Sequence, residues 1–130
     1  MTEVEVYEIT YSGLGVAAAF MSNYATHVGI YLSLVFGYCV VAYTAGRNLT
    51  TFQVIVASSM FIVAAELQAV VMSFWVLSAQ EVVSGLKEIN PEMGGSGEAD
   101  VRQIVGIALW QAGILSSLAF MWSIRRSKTE

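Results

Sequence analysis

Charge is what this sequence has least of. Six basic and ten acidic side chains make up 12% of its 130 residues, about half the share usual in a soluble domain. Residues 9–46 and 103–124 carry none of them, and residues 48–80 carry only Glu66. Apolar runs this long exclude a soluble globular domain and a disordered chain, and they read as membrane-spanning helices. Cysteine is nearly absent too. Cys39 stands alone, so no internal disulfide forms and a secreted disulfide scaffold is excluded. Inside its apolar run it reads as a small packing residue. One histidine, His27, rules out bis-histidine haem within one chain. With one cysteine and scattered acids it also leaves no closed zinc set. It reads as a polar-tipped ring near the outer interface.

The charged residues that are present suggest no special partner. The acids Glu3, Glu5 and Glu8 precede the first run, and Glu81, Glu88, Glu92, Glu98 and Asp100 lie between the second and third. The bases Arg47, Lys87, Arg102, Arg125, Arg126 and Lys128 form no nucleic-acid stripe. An acidic start lacks the basic region of a cleavable signal peptide, so the N-terminus is expected to stay on. No Ser/His/Asp or Cys/His set occurs at matched depth. The Gly94-Gly95-Ser96-Gly97 stretch lacks the strand–helix context of a phosphate loop. The segment between the second and third runs is too short for a soluble catalytic domain. Neither an enzyme nor a cofactor is expected.

The sequence therefore predicts an all-α fold with three spans in a single membrane domain. The first uncharged run would be about 57 Å long as one helix, against a hydrocarbon core of about 30 Å. The span is placed at 24–45, with Gly46, Arg47 and Asn48 as stop and turn. Residues 1–23 become a short interfacial helix or a protruding extension. The second span covers 52–79, opened by a Thr50–Gln53 capping box. An amphipathic continuation to Ile89 precedes the Asn90-Pro91 break and a loop reaching residue 100. The third span covers 101–124, with Asp100 and Gln103 as a cap pair, and 125–130 form a basic tail. Basic residues favour the 46–51 turn and the tail, which puts the N-terminus outside and the C-terminus inside. Tyr24 and Trp75 would then mark the outer interface, and Tyr43, Phe52 and Trp122 the inner one.

Glu66 is the most informative residue. A lone charge near mid-membrane costs roughly 2.5–3.5 kcal/mol on insertion scales, so it should face protein or water. Ser59, Glu66, Ser73 and Gln80 recur every seven residues and share one helix face. That stripe reads either as a packing seam or as the lining of a cation or proton path in an oligomer. Tyr38, from the seven-spaced set Tyr24, Tyr31 and Tyr38, and Gln111 on the third span are the expected partners of Glu66. Small residues at Gly29, Ser33 and Gly37, and Gly106 and Gly113 on the third span, favour close helix packing within or between chains.

Residues 42–54, Ala-Tyr-Thr-Ala-Gly-Arg-Asn-Leu-Thr-Thr-Phe-Gln-Val, resemble the first turn of small three-helix bacterial inner-membrane proteins. The resemblance implies that fold and that location, and it assigns no site residues. Two functional classes stand open. One is a non-catalytic assembly or accessory subunit, as a homo-oligomer or within a larger membrane complex. The other is a homo-oligomeric cation or proton channel lined by the Ser59–Gln80 face.

Overall fold

The computed structural model describes residues 2–93 and 99–126. The chain is all-helical, with α1 (Glu3–Ala45), α2 (Thr51–Ile89) and α3 (Ala99–Arg126). All three helices are long and apolar enough to cross a membrane. The 94–97 tip and Lys128 lie outside the described residues, as does the side chain of Asp100 in its expected cap pair.

Capping chemistry sets two helix starts. The Thr50 hydroxyl accepts from the Gln53 N–H, and the Gln53 side chain accepts from the Thr50 N–H, the capping box expected from sequence. Thr2 and Glu5 build the same reciprocal box at the start of α1. With this cap, α1 begins at Glu3 and runs unbroken to Ala45, so residues before 24 continue the helix instead of forming a separate interfacial one. Gly13 does not break it, because its missing side chain makes room for Leu86, whose Cδ2 would lie 2.6 Å from a Cβ. Likewise α2 continues without interruption to Ile89. Gly46 at the end of α1 keeps a right-handed conformation, with φ −54° and ψ −33°. Its small size spares the Ala42 carbonyl oxygen, which a Cβ would run into, and leaves room for Met121, whose Sδ would lie 3.2 Å from a Cβ.

α1 and α2 pack antiparallel along a seam repeating at three- and four-residue steps, the spacing of coiled-coil contacts. On α1 the buried members are Ala17, Tyr31, Tyr38 and Ala42, and on α2 they are Val54, Phe61, Ala65, Met72, Ala79 and Leu86. Ala42 and Ala65 share one cluster with Tyr31, Tyr38, Phe61 and Met72, so small residues let the backbones approach while the large side chains fill the gaps. α3 closes on α1 through buried Ile114, Ser117 and Met121. A tight turn fixes the α1–α2 register. Asn48 and Leu49 N–H groups both donate to the Ala45 carbonyl, and partners fall symmetrically about this point, as in Tyr38–Ser58 and His27–Gln68.

Length differences shape the bundle. At about 1.5 Å per residue, α1 is about 64 Å long, α2 about 58 Å and α3 about 42 Å. Tyr31 meets Trp110 and Cys39 meets Ser117, which sets α3 beside the second half of α1. The first half of α1 and the end of α2 therefore run past α3 as a two-helix pair. The Phe20–Trp75 ring contact at 5.7 Å and the Gly13–Leu86 approach hold that pair together.

Candidate functional site

Glu66 is half-buried on α2, on the flank of the α1–α2 seam that faces α3. The Gln111 side-chain amide donates to both carboxylate oxygens, at 3.1 Å to Oε1 and 3.2 Å to Oε2. This is the expected pairing of α2 with α3. Tyr38, the other expected partner, is engaged elsewhere. Its hydroxyl lies 2.7 Å from Ser58 Oγ, and its ring stacks on Phe61 with centroids 4.3 Å apart. The cause is register. Ser58 lies two turns from Glu66, about 12 Å along the axis. The tyrosine level with Glu66 is Tyr31, whose hydroxyl donates to the Trp110 carbonyl at 2.6 Å. Its ring meets the Trp110 indole edge-on, at 4.6 Å and 76°.

The heptad stripe is only partly assembled. Glu66 and Ser73 line a cavity of about 460 Å³ between α2 and α3, with Trp110 and Gln111 opposite. Ser73 and Gln80 line an adjoining cavity of about 390 Å³, faced by Gln103 and Trp110. Ser59 is exposed and belongs to neither. The Ser73 hydroxyl is spent on the Ala69 carbonyl, 2.9 Å away, the usual way a helical serine satisfies itself in apolar surroundings.

The small residues divide the same way. At Gly113 a Cβ would lie 2.5 Å from the Tyr31 hydroxyl, so this glycine is what lets α3 seat on α1. At Gly106 the nearest neighbour, the Trp110 Nε1, would be 4.0 Å from a Cβ. Gly29 and Gly37 have open space above them and Ser33 is exposed, so that face makes no contact among the described residues. His27 is better placed than its sequence position suggested, with Nδ1 2.8 Å from the Gln68 Oε1. The symmetry of partners about the 46–50 turn was the signal that could have found both this pair and Tyr31. Among the described residues, no three His, Cys, Asp or Glu side chains gather as a metal-ligand set.

Fold and site together define a three-helix bundle of membrane-compatible helices with one carboxylate–amide pair in its apolar middle. No protein family, no curated protein and no solved structure matches the chain.

Proposed function

We propose that this chain is a three-span integral membrane protein acting as a non-catalytic assembly or accessory subunit of a membrane complex. The observation that carries this reading is the stretch of α1 that runs past α3. Val4, Tyr7, Tyr11 and Leu14 are 67%, 70%, 72% and 42% exposed there, at the three- and four-residue steps of a helix–helix seam. A bilayer about 30 Å thick fits the segments where all three helices run together, 24–45, 51–75 and 103–124. Tyr43, Phe52 and Trp122 then mark one border, and Phe20, Phe74 and Trp75 the other. The exposed seam stands in water, where an apolar stripe favours a partner helix. Glu3 and Glu8 flank it. A parallel second copy would set acid against acid, whereas a partner helix flanked by Lys or Arg is matched. Within the bilayer, the open Gly29–Ser33–Gly37 face suits close approach by a further helix, of a second copy or of another subunit. Arg47, Arg125, Arg126 and Lys128 argue for an outside N-terminus and a cytoplasmic C-terminus. The resemblance of residues 42–54 argues for a bacterial inner membrane.

Native mass spectrometry of the full chain extracted in mild detergent tests the proposal. The wild type should travel in a particle larger than one 14.1 kDa chain. Tyr7→Glu with Tyr11→Glu should remain in the membrane yet be released from that particle. A wild type found as a single chain, or a variant that assembles equally well, overturns it.

One observation favours conduction as a second reading. Glu66, Ser73 and Gln80 all border the α2–α3 cleft, so an oligomer turning those clefts inward would present a line of polar groups. Proton or cation flux in reconstituted liposomes that Glu66→Gln abolishes without dissociating the oligomer would establish it. Absence of flux in the intact oligomer would remove it.

A further inference from the structure

We infer that the α2–α3 cleft is a binding site for a hydrophobic organic cation, an apolar body carrying one positive charge. The two cavities adjoin through Ser73, Ile107 and Trp110, which border both. Their volumes, about 390 and 460 Å³, fall in the range of small-ligand sites, roughly 300–1,000 Å³. Such sites combine apolar walls with a few convergent polar groups, and the cleft is built that way. Val70, Phe74 and Leu77 form its α2 wall around Glu66, and Val76 and Met72 continue it toward Gln80.

Charge selects the ligand. Glu66 is the one acidic or basic residue between positions 48 and 80, and among the described residues no cationic side chain borders either cavity. Among the described residues its partner in the cleft is the Gln111 amide, which is neutral. Two carboxylate oxygens offer about four acceptor positions, and one amide nitrogen leaves most of them open. A carboxylate in apolar surroundings gains far more from a compensating charge than one in water does. Trp110 borders the same space, and an indole face attracts a cation. Gln80 and Gln103 sit at the other end of the slot, about 21 Å from Glu66 along α2, and give it a polar entrance near the outer end of the three-helix segment. An anion would meet Glu66, and a strongly hydrated cation would lose its shell to apolar walls. A bulky, weakly hydrated cation satisfies both constraints. The site lies within one chain and is independent of any assembly.

The test is fluorescence titration of the full chain in lipid nanodiscs, with Trp75→Phe and Trp122→Phe leaving Trp110 as the reporter. Tetraphenylphosphonium is the probe, and neutral triphenylphosphine oxide is the control for simple partitioning. The cation should change Trp110 emission saturably and the neutral compound should not. Glu66→Gln should weaken the affinity by roughly tenfold or more, the scale of a lost charge-assisted contact. Ile107→Phe, which fills the slot and leaves Glu66 and Gln111 in place, should also weaken it and decides the matter if Glu66→Gln does not fold. Equal affinity in the wild type and the folded variants, equal response to the neutral compound, or no saturation overturns the inference.

Discussion

Replacing Gly113 by alanine should destabilise the bundle, against the ordinary preference of helices. In an open helix position alanine gains about 1 kcal/mol over glycine. At Gly113 the new methyl would lie 2.5 Å from the Tyr31 hydroxyl, with the ring carbons at ordinary contact distances of 3.5 and 3.6 Å. That hydroxyl has little freedom to move, because its 2.6 Å bond to the Trp110 carbonyl holds it. Overpacking of this kind costs about 1–3 kcal/mol, and displacing the hydroxyl adds about 0.6 kcal/mol, the average for an interhelical hydrogen bond in a membrane. Set against alanine's gain of about 1 kcal/mol, the net cost should be about 0.6–2.6 kcal/mol. Tyr31→Phe removes the clashing atom, so Gly113→Ala combined with Tyr31→Phe should become neutral or stabilising relative to Tyr31→Phe alone. Reversible unfolding in mixed micelles, followed by circular dichroism, measures all four corners of this cycle. Equal effects of Gly113→Ala with the Tyr31 hydroxyl present and with it removed would refute the packing argument.

Further outcomes follow from the same geometry. In unfolding measurements Glu66→Gln should cost under about 1 kcal/mol, because its carbonyl still accepts from Gln111, and Glu66→Ala should cost more through the lost bond and a small void. Thr50→Ala should cost about 1 kcal/mol by removing the hydroxyl that accepts the Gln53 N–H, measured in the same assay. The Thr2 backbone N–H, helped by its hydroxyl, holds the Glu5 carboxyl below its ordinary value of 4.5. The folded form thus binds its proton less readily than the unfolded one. The cap's contribution should be complete above the ordinary value and fade as pH falls through the lower folded one, which amide exchange at the start of α1 would detect. Glu5→Gln should remove that dependence.

The all-helical fold was legible because uncharged runs longer than a bilayer needs leave few alternatives. The Thr50–Gln53 box was legible because its residues are adjacent and their chemistry is local. The Glu66–Gln111 pair could be anticipated, since one carboxylate in an apolar helix needs a donor and α3 carries one amide near its centre. Tyr38 is the wrong partner for Glu66 because seven-residue spacing gives a shared face without giving a level relative to the next helix. The tight turn at 46–50 supplies that level, and counting outward from Asn48 brings Glu66 to within one residue of Tyr31. The α1–α2 seam was hidden for another reason. Both helices are apolar nearly all round, so polarity does not separate Ala65 and Met72, which are buried, from Val63 and Val70, which are exposed. The run of α1 past α3 was half legible, since the length of the 9–46 run sets residues 1–23 outside the span but nothing in it chooses between an interfacial helix and a protruding extension.

Cysteine accessibility in intact cells is the sharpest check that the three-helix segment lies in the bilayer while the α1–α2 pair projects outward. In a Cys39→Ser background, single cysteines would replace Tyr11, Leu32, Asn48 and Ser96 in turn. A membrane-impermeant maleimide should label positions 11 and 96 from outside, position 48 only after permeabilisation, and position 32 in neither case. A position 11 as shielded as position 32, or a position 96 that reacts only from the cytoplasmic side, would contradict this placement.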